Sequence, residues 1–173
     1  TQDSAGLHGF QLWVNLPASE KMSEPRYRDV PRDALTHWQC EGAEAVVIAG
    51  EWGMPSGAVP GPLVELAERA AVLDLQLDPG ARITLSVPAE ENLVGYIYDG
   101  GLRDRDRVIP ARHLVVTGPG ERFELAADAA GAGVLLMRGQ PLREPVAHYG
   151  PFVMNTMDEI ERTLRDYQSG QFP

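Results

Sequence analysis

Short apolar runs alternate with glycine- and proline-containing turns along most of the chain. The runs occupy residues 12–16, 45–49, 72–77, 83–87, 93–98, 113–117, 123–126 and 134–137. Turn residues lie between several of them, at residues 78–80, 99–101, 118–120 and 131–133. Apolar runs of this length, bounded by glycine and proline, are typical of an all-β sandwich or barrel. The pattern therefore predicts short strands joined by tight turns.

Two segments depart from this pattern. Residues 63–71 are rich in helix-forming side chains, but their flanks leave helix and strand equally open. Near the carboxyl end, Thr156-Met157-Asp158-Glu159 matches a capping box, in which a hydroxyl and a carboxylate satisfy the first free amides of a helix. We expect a helix that ends at Gly170 and needs a surface to dock on. Its predicted apolar face consists of Ile160, Leu164 and Tyr167.

The first apolar segment has an unusual composition. Residues 7–16 are strongly apolar on both faces of a strand, and residues 17–31 have the composition of a connector. A strand that is buried on two sides needs partners on two sides. We infer that this strand belongs to a sheet whose other members lie outside this chain or come from a second copy of it.

Composition and charge exclude several classes of function. The 173 residues contain 15 Lys and Arg against 25 Asp and Glu, a net charge of −10, which disfavours direct binding to nucleic acid. The lone Cys40 excludes an intramolecular disulfide and a multi-cysteine metal site, and it fits the reducing cytoplasm, where we expect the protein. No stretch approaches 18 consecutive apolar residues, so no membrane span is predicted.

The spacing after Gly80 follows a metal-binding pattern of small β-barrels: glycine, five residues, His-x-His, four residues, Glu, six residues, glycine. The ligand positions of this pattern, with a further His position after the 118–120 turn, fall on Ser86, Pro88, Leu93 and Phe123. Proline, leucine and phenylalanine cannot coordinate a metal, and serine is a poor ligand for a transition ion. The sequence therefore predicts the frame of a metal site whose ligands are absent.

Other candidates for chemistry have simpler interpretations. The four histidines lie far apart and form no paired metal motif, so a structural role is favoured for them. His8 is the exception, because it begins the unusual first strand. The alternating charges of residues 103–107 are most simply a solvated hairpin edge.

Four longer segments together resemble the pirin family. They are HGFQLWVNL (8–16), KMSEPRY (21–27), GQPLREPV (139–146) and YGPFVMNT (149–156). Their order and spacing agree with the later part of a pirin from about residue 6 to about residue 170. Pirins are two-barrel cupins, so the resemblance implies an all-β, double-stranded β-helix (jelly-roll) barrel with a C-terminal α-helix, preceded by one strand of a first barrel.

The resemblance also implies boundaries for these parts. Residues 1–17 would be the last strand of the first barrel, and residues 18–42 the linker. Residues 43–154 would form the second, metal-free barrel, and residues 155–173 the terminal helix and tail. The resemblance also favours strand over helix for residues 72–77, and it decides the ambiguous region before them in favour of strand.

In the family, iron is held in the first barrel by three His and one Glu, and those motifs have no counterpart in this sequence. The resemblance implies a carboxy-terminal part of a quercetin 2,3-dioxygenase-like enzyme, without cofactor in this chain and active only where the first barrel is supplied. The alternative is a metal-free protein-interaction module, as in pirins that act as transcription cofactors. We expect a partner in either case: a separate N-terminal pirin half, a second copy of this chain, or another protein.

The first strand lines the metal pocket in the family, which makes three of its residues candidates for a substrate pocket: His8, Gln11 and Trp13. Side chains alternate along a strand, so Gln11 and Trp13 project from the same face. Gln11 would donate or accept hydrogen bonds and Trp13 would form an aromatic wall. For Trp13, a purely structural place in the core is an equally good interpretation.

Overall fold

The structure, a computed structural model, describes residues 8–63 and 70–172. These residues form twelve β-strands, one α-helix and two short 3-10 turns. The chain divides into two compact units, one formed by Arg28–Pro141 and the other by Thr1–Tyr27 together with Leu142–Pro173. No helix within the described ranges is long and apolar enough to cross a membrane.

The Arg28–Pro141 unit is a barrel-like antiparallel sheet, as the sequence predicts. Its strands are β1 (Thr36–Cys40), β2 (Ala43–Ala49), β3 (Glu51–Met54), β4 (Gly57–Pro60), β5 (Ala71–Leu77), β6 (Arg82–Ser86), β7 (Asn92–Asp104), β8 (Arg107–Pro110), β9 (His113–Val116) and β10 (Arg122–Gly139). The main path runs in the order β1-β2-β5-β10-β6-β3-β4, and β7 pairs with β10, β8 and β9. The nearly closed sheet is the jelly-roll arrangement of a cupin.

Two predicted turns are wrong, because they lie inside long bent strands. Residues 99–101 belong to β7, and residues 131–133 belong to β10, which joins two predicted strands into one. Gly100 and Gly131 have positive φ values of 60° and 85°, and a Cβ on Gly100 would lie 2.0 Å from the Gly131 carbonyl oxygen. A positive φ bends a strand as readily as it ends one. Here the two glycines let the strands bend where their backbones meet.

The long strand β10 organises the barrel. Its first part, Arg122 to Ala126, pairs with β6, and its second part, Ala132 to Arg138, pairs with β5 and β7 at once. Strand β6 shows the alternation that builds the core, since Ile83 and Leu85 are buried whereas Thr84 is half-buried and the strand ends are exposed. Fully burying such a side chain contributes about 1.5–3 kcal/mol. The apolar runs of the sequence therefore supply the inner face of the barrel.

The predicted C-terminal helix is confirmed as α1 (Met157–Ser169), and it follows a short hairpin of β11 (Ala147–Tyr149) and β12 (Phe152–Met154). Its capping box is complete: the Glu159 amide donates to Thr156 Oγ1 at 3.2 Å, and the Thr156 amide donates to Glu159 Oε2 at 2.8 Å. The Thr156 and Asn155 amides hold the pKa of the Glu159 carboxyl below its usual range. Gly170 ends the helix with φ 70°.

The buried face of α1 differs from the predicted one. Ile160 is buried and Leu164 is half-buried, but Thr163 takes the other buried position and Tyr167 is exposed. The Tyr167 ring instead lies edge-on to Phe152, with centroids 5.6 Å apart. An edge-to-face aromatic pair explains how a large ring at the end of the helix is stabilised near the surface.

The structure also draws boundaries that differ from the predicted segments. Strand β1 lies within the predicted linker 18–42, and the β11–β12 hairpin belongs to the terminal unit with residues 8–27. Residues 8–16 form no strand with any described residue, so the partners expected for them stay a prediction. In the ambiguous 63–71 segment, residues 64–69 lie outside the described residues, and β5 begins at Ala71.

Candidate functional site

The barrel unit contains a partly open cavity of about 280 Å³. Strands β7, β9 and β10 provide most of its wall, because the inward-facing residues of these neighbouring strands point to the same space. The wall is mainly hydrocarbon, with side chains such as Leu102, Val134 and Leu136. Because two of the predicted ligand positions line this cavity, it is the place to compare with the predicted metal frame.

Two of the four predicted ligand positions lie on this cavity. Leu93 is buried and Phe123 is half-buried, and both line the cavity wall. Ser86 and Pro88 are exposed and line a shallow outer depression with Glu90 and Glu121. Since side chains alternate along a strand, the inward positions next to Ser86 are taken by Leu85 and Val87, which are buried. The structure brings Leu93 and Phe123 together but not Ser86 and Pro88.

The chemistry of the described residues does not fit an iron site. No group of three or more His, Cys, Asp or Glu in residues 8–63 and 70–172 is arranged to hold a metal ion. Leu93 and Phe123 present hydrocarbon to the cavity, and the Thr117 hydroxyl there donates to the Leu93 carbonyl oxygen at 3.0 Å. The ring of His113 is hydrogen-bonded locally, with Nδ1 3.1 Å from the Pro110 carbonyl oxygen. Iron requires several nitrogen or oxygen ligands around one point, and the cavity does not supply them.

The three predicted substrate-pocket residues lie in the terminal unit and are exposed. Trp13 is 69% exposed and lines a groove of about 470 Å³ with Phe152 and Phe172. The His8 ring lies edge-on to Phe10, with centroids 5.1 Å apart. His8 and Gln11 do not line this groove. The structure therefore brings only Trp13 of the three to a concave surface.

A set of hydrogen bonds fixes the amino-terminal segment to the carboxy-terminal segment within this unit. The Lys21 ammonium donates to Asn15 Oδ1 at 2.6 Å and to the Val153 carbonyl oxygen at 3.0 Å. Glu144 Oε2 accepts from the Ala18 amide at 2.8 Å and from Asn155 Nδ2 at 3.0 Å. We call these six residues the clasp. All of them except Ala18 lie in a segment that carries the family resemblance.

The clasp holds a run of exposed apolar side chains, which we call the apolar run. Its members and their exposed fractions are Phe10 43%, Leu12 41%, Trp13 69%, Val14 41% and Leu16 37%. Scattered exposed apolar residues are normal, but a continuous series of this kind marks an interaction surface. The unit therefore presents five exposed apolar side chains close together in the sequence, and none of the five provides an ionisable or nucleophilic group.

A polar cluster on the barrel sheet was not found by the sequence analysis. The Tyr98 hydroxyl donates to Asp74 Oδ1 at 2.5 Å and accepts from Gln76 Nε2 at 2.5 Å. Burial, with the Asp74 hydrogen bond second, raises the pKa of the Tyr98 hydroxyl far above its usual range. The ring reaches these partners because Gly133 has no side chain, and a Cβ there would lie 2.4 Å from Tyr98 Cε2. The sequence does contain a signal for this cluster: Asp74 and Gln76 are polar residues at alternate positions of the apolar run 72–77.

Comparison with known proteins places these features among relatives. Residues 72–173 match the pirin C-terminal cupin domain. A Vibrio cholerae protein provisionally named a quercetin 2,3-dioxygenase is 39% identical over 168 residues, which cover 96% of this chain and 59% of that protein. Human pirin is 35% identical over 170 residues, which cover 95% of this chain and 57% of human pirin.

The crystal structure of a quercetin 2,3-dioxygenase from Acinetobacter baumannii superimposes with a TM-score of 0.81 and 29% identity. The superposition covers 92% of this chain and 55% of that one. The chain thus spans little more than half the length of each of these three proteins.

Proposed function

Because the chain belongs to the pirin family, we propose that it is the carboxy-terminal portion of an iron-dependent dioxygenase that opens flavonols such as quercetin. The observation that carries the proposal is the superposition of 92% of the chain on the Acinetobacter baumannii quercetin 2,3-dioxygenase at a TM-score of 0.81. The similarity to a Vibrio cholerae relative with the same provisional name supports the same substrate class.

In this proposal the iron belongs to a first barrel outside the 173 residues. The cavity of the barrel described above has Leu93 and Phe123 where ligands would be needed. Its wall cannot supply a set of donor atoms to a transition ion. Iron would provide the activation of dioxygen and flavonol in the first barrel, and the present chain would provide structural support and one wall of the substrate pocket.

The residues proposed for that wall are Gln11 and Trp13. When residues 8–16 pair as a strand of the first barrel, these two side chains share one face of it. Gln11 would orient the flavonol by hydrogen bonds, and Trp13 would stack against its rings. The clasp contributes by fixing the position of this segment, since Lys21 holds both Asn15 and the carbonyl of Val153.

The test compares the chain with and without a first barrel. Iron content and quercetin consumption are measured for the 173-residue chain, for the amino-terminal portion of the Acinetobacter baumannii enzyme that the chain does not match, and for the two co-expressed. We expect iron and activity in the co-expressed pair and neither in the 173-residue chain. Stoichiometric iron and quercetin turnover by the chain itself would refute the assignment of iron to the first barrel. An iron-loaded pair that leaves quercetin unchanged would refute the dioxygenase.

The exposed apolar run favours a second proposal, in which the chain acts as a metal-free module that binds another protein. We propose the amino-terminal pirin barrel as the first partner, because these five side chains are apolar on both sides of the segment. A second copy of the chain, or an unrelated protein such as a transcription factor, is the alternative partner. Removing such a surface from water would contribute about 25 cal/mol per Å² of apolar area buried.

Light scattering after size-exclusion chromatography tests this association. Trp13→Ser is expected to weaken binding of the amino-terminal barrel. Val116→Ser is the matched control, because Val116 is also 69% exposed but lies on β9 of the barrel unit. A chain that stays monomeric with and without the amino-terminal barrel would contradict the proposal. If the chain alone forms a dimer, and Trp13→Ser dissociates that dimer, then the partner is a second copy of the chain and not the first barrel.

A further inference from the structure

The cavity inside the barrel unit has the size of a small-molecule site. Its volume of about 280 Å³ exceeds the roughly 150 Å³ that accommodates benzene in an engineered apolar cavity. It lies just below the range of about 300–1,000 Å³ found for sites of drug-sized ligands. A molecule with one ring and a short substituent matches this space. Larger polycyclic molecules such as flavonols do not.

Gly95 helps to keep the space open. It is buried on β7 and lines the cavity. A Cβ at this position would lie 3.1 Å from Leu136 Cδ2 and 3.4 Å from Val134 Cγ1, which is tight packing against two wall residues. The absence of a side chain at Gly95 therefore leaves room between β7 and β10.

Four polar residues interrupt the hydrocarbon lining, and three of them are already engaged. Thr117 donates its hydroxyl to the Leu93 carbonyl oxygen at 3.0 Å. Asp104 pairs with Arg107 at 3.4 Å, and Glu124 pairs with Arg82 at 2.7 Å. Each carboxylate of the lining thus has an arginine partner that does not line the cavity itself.

Arg103 is the fourth polar residue of the lining. Within the part of the chain that the structure describes, it makes no hydrogen bond or ion pair. Arg103 is exposed, as expected for a solvated charged edge, and it also contributes to the lining of the apolar cavity. A guanidinium binds a carboxylate through two parallel hydrogen bonds, so it favours a planar anion.

We propose that the barrel unit binds a small apolar carboxylate of about the size of benzoate. The ring occupies the cavity between β7 and β10, and the carboxylate pairs with Arg103. The combination of a one-ring apolar volume and one uncompensated cation selects this class over neutral hydrocarbons and over cations. This site is independent of the proposed dioxygenase, whose iron would lie in the first barrel.

The test titrates the full 173-residue chain with benzoate and with neutral benzyl alcohol at low ionic strength, where charge interactions are least screened. Calorimetry gives the affinities, and NMR of methyl groups locates the ligand. Arg103→Gln is expected to weaken benzoate binding about tenfold or more, since a charge-assisted hydrogen bond is lost. Binding of benzyl alcohol should change by less than about twofold, because its contacts are apolar.

Arg105→Gln is the matched control, because Arg105 lies on the same hairpin and is exposed like Arg103, but it does not line the cavity. It should leave both affinities unchanged. Val115→Phe, which places a larger side chain on the wall, should abolish both. Benzoate should also shift the methyl signals of Val134 and Leu136 in the wild-type chain, a readout that does not depend on any variant folding.

Three results would overturn the proposal. The first is a folded wild-type chain that does not bind benzoate at millimolar concentration. The second is an equal loss of benzoate affinity in Arg103→Gln and Arg105→Gln, which would indicate general attraction of anions to the hairpin. The third is benzoate binding without shifts at Val134 and Leu136, which would place the ligand elsewhere.

Discussion

The two units of this protein are stabilised in different ways. The barrel unit has an interlocked apolar core in which Trp52, Leu73 and Leu85 are fully buried. In the terminal unit, side-chain hydrogen bonds of Lys21 and Glu144 connect segments from both ends of the chain. Burial on the scale of the barrel core is sufficient to specify a fold. Hydrogen bonds contribute less in net terms, so the terminal unit should open at lower free energy.

The largest effect on stability is expected in the barrel unit, when a largely buried ion pair is broken. Arg138 pairs with Glu91, donates to the Glu51 carbonyl oxygen and lies 5.2 Å from the Trp52 ring centroid. Arg138→Met leaves the largely buried Glu91 carboxylate without its partner, and breaking a fully buried pair, the upper bound, costs about 3–5 kcal/mol. Denaturant unfolding measures the loss of global stability.

The control for this variant is Arg82→Met, which breaks the exposed pair with Glu124. The side chains of Arg82 and Glu124 are 66% and 61% exposed, against 10% and 16% for Arg138 and Glu91. An exposed pair contributes about 0–1 kcal/mol. Equal destabilisation by the two substitutions would contradict the special role given to the buried pair.

A smaller and more local effect is expected in the terminal unit. Glu144→Ala removes the acceptor of two hydrogen bonds, from the Ala18 amide and from Asn155 Nδ2. We expect local opening to become easier by about 1–3 kcal/mol, since hydrogen bonds to a charged group are lost. Hydrogen exchange should show faster exchange of the Ala18 amide, with barrel amides unchanged.

Glu161→Ala provides the comparison for Glu144→Ala, because Glu161 is exposed on α1 and outside the clasp. It should leave the exchange of the Ala18 amide as in the wild type. Loss of protection throughout the barrel in Glu144→Ala would show that the two units unfold together, and the contrast between them would then fail.

The smallest effect concerns the polar cluster on the barrel sheet. Tyr98→Phe removes the hydroxyl that bonds Asp74 and Gln76, at an expected cost of about 1 kcal/mol at neutral pH. The folded pKa of Tyr98 is raised, so its stabilising contribution is complete below the unfolded value of about 10 and is lost as the pH rises above it.

Thermal unfolding of the wild type and Tyr98→Phe from neutral to alkaline pH measures this difference. The wild type should lose stability more steeply above pH 10 than the variant. The difference in stability between wild type and Tyr98→Phe should therefore become smaller as the pH rises. Parallel pH profiles would show that Tyr98 ionises equally easily in the folded and unfolded chain.

Much of this protein can be predicted from local sequence. The capping box at Thr156 and Glu159 and the stop at Gly170 depend on neighbouring residues, and both are confirmed. The strands β2, β5, β6 and β9 coincide with apolar runs because a strand needs an apolar face. The family, and with it the cupin barrel, followed from four segments whose order and spacing are specific.

The tertiary structure decided how these elements meet. The sequence around Gly100 and Gly131 is typical of turns. Because β7 and β10 pair with each other on both sides of these glycines, the chain bends there within the strands instead of ending them. The spacing count placed Ser86 and Pro88 at ligand positions, whereas the phase of β6 directs Leu85 and Val87 inward.

Arg103 shows the same limit in the candidate site. The nearby carboxylates of the cavity lining are paired with other arginines: Asp104 with Arg107, and Glu124 with Arg82, which is distant in the sequence. Sequence patterns record which residues are apolar and which turn easily, because these are properties of single residues and their neighbours. The direction of a side chain and its partners depend on contacts between distant strands, which only the folded chain determines.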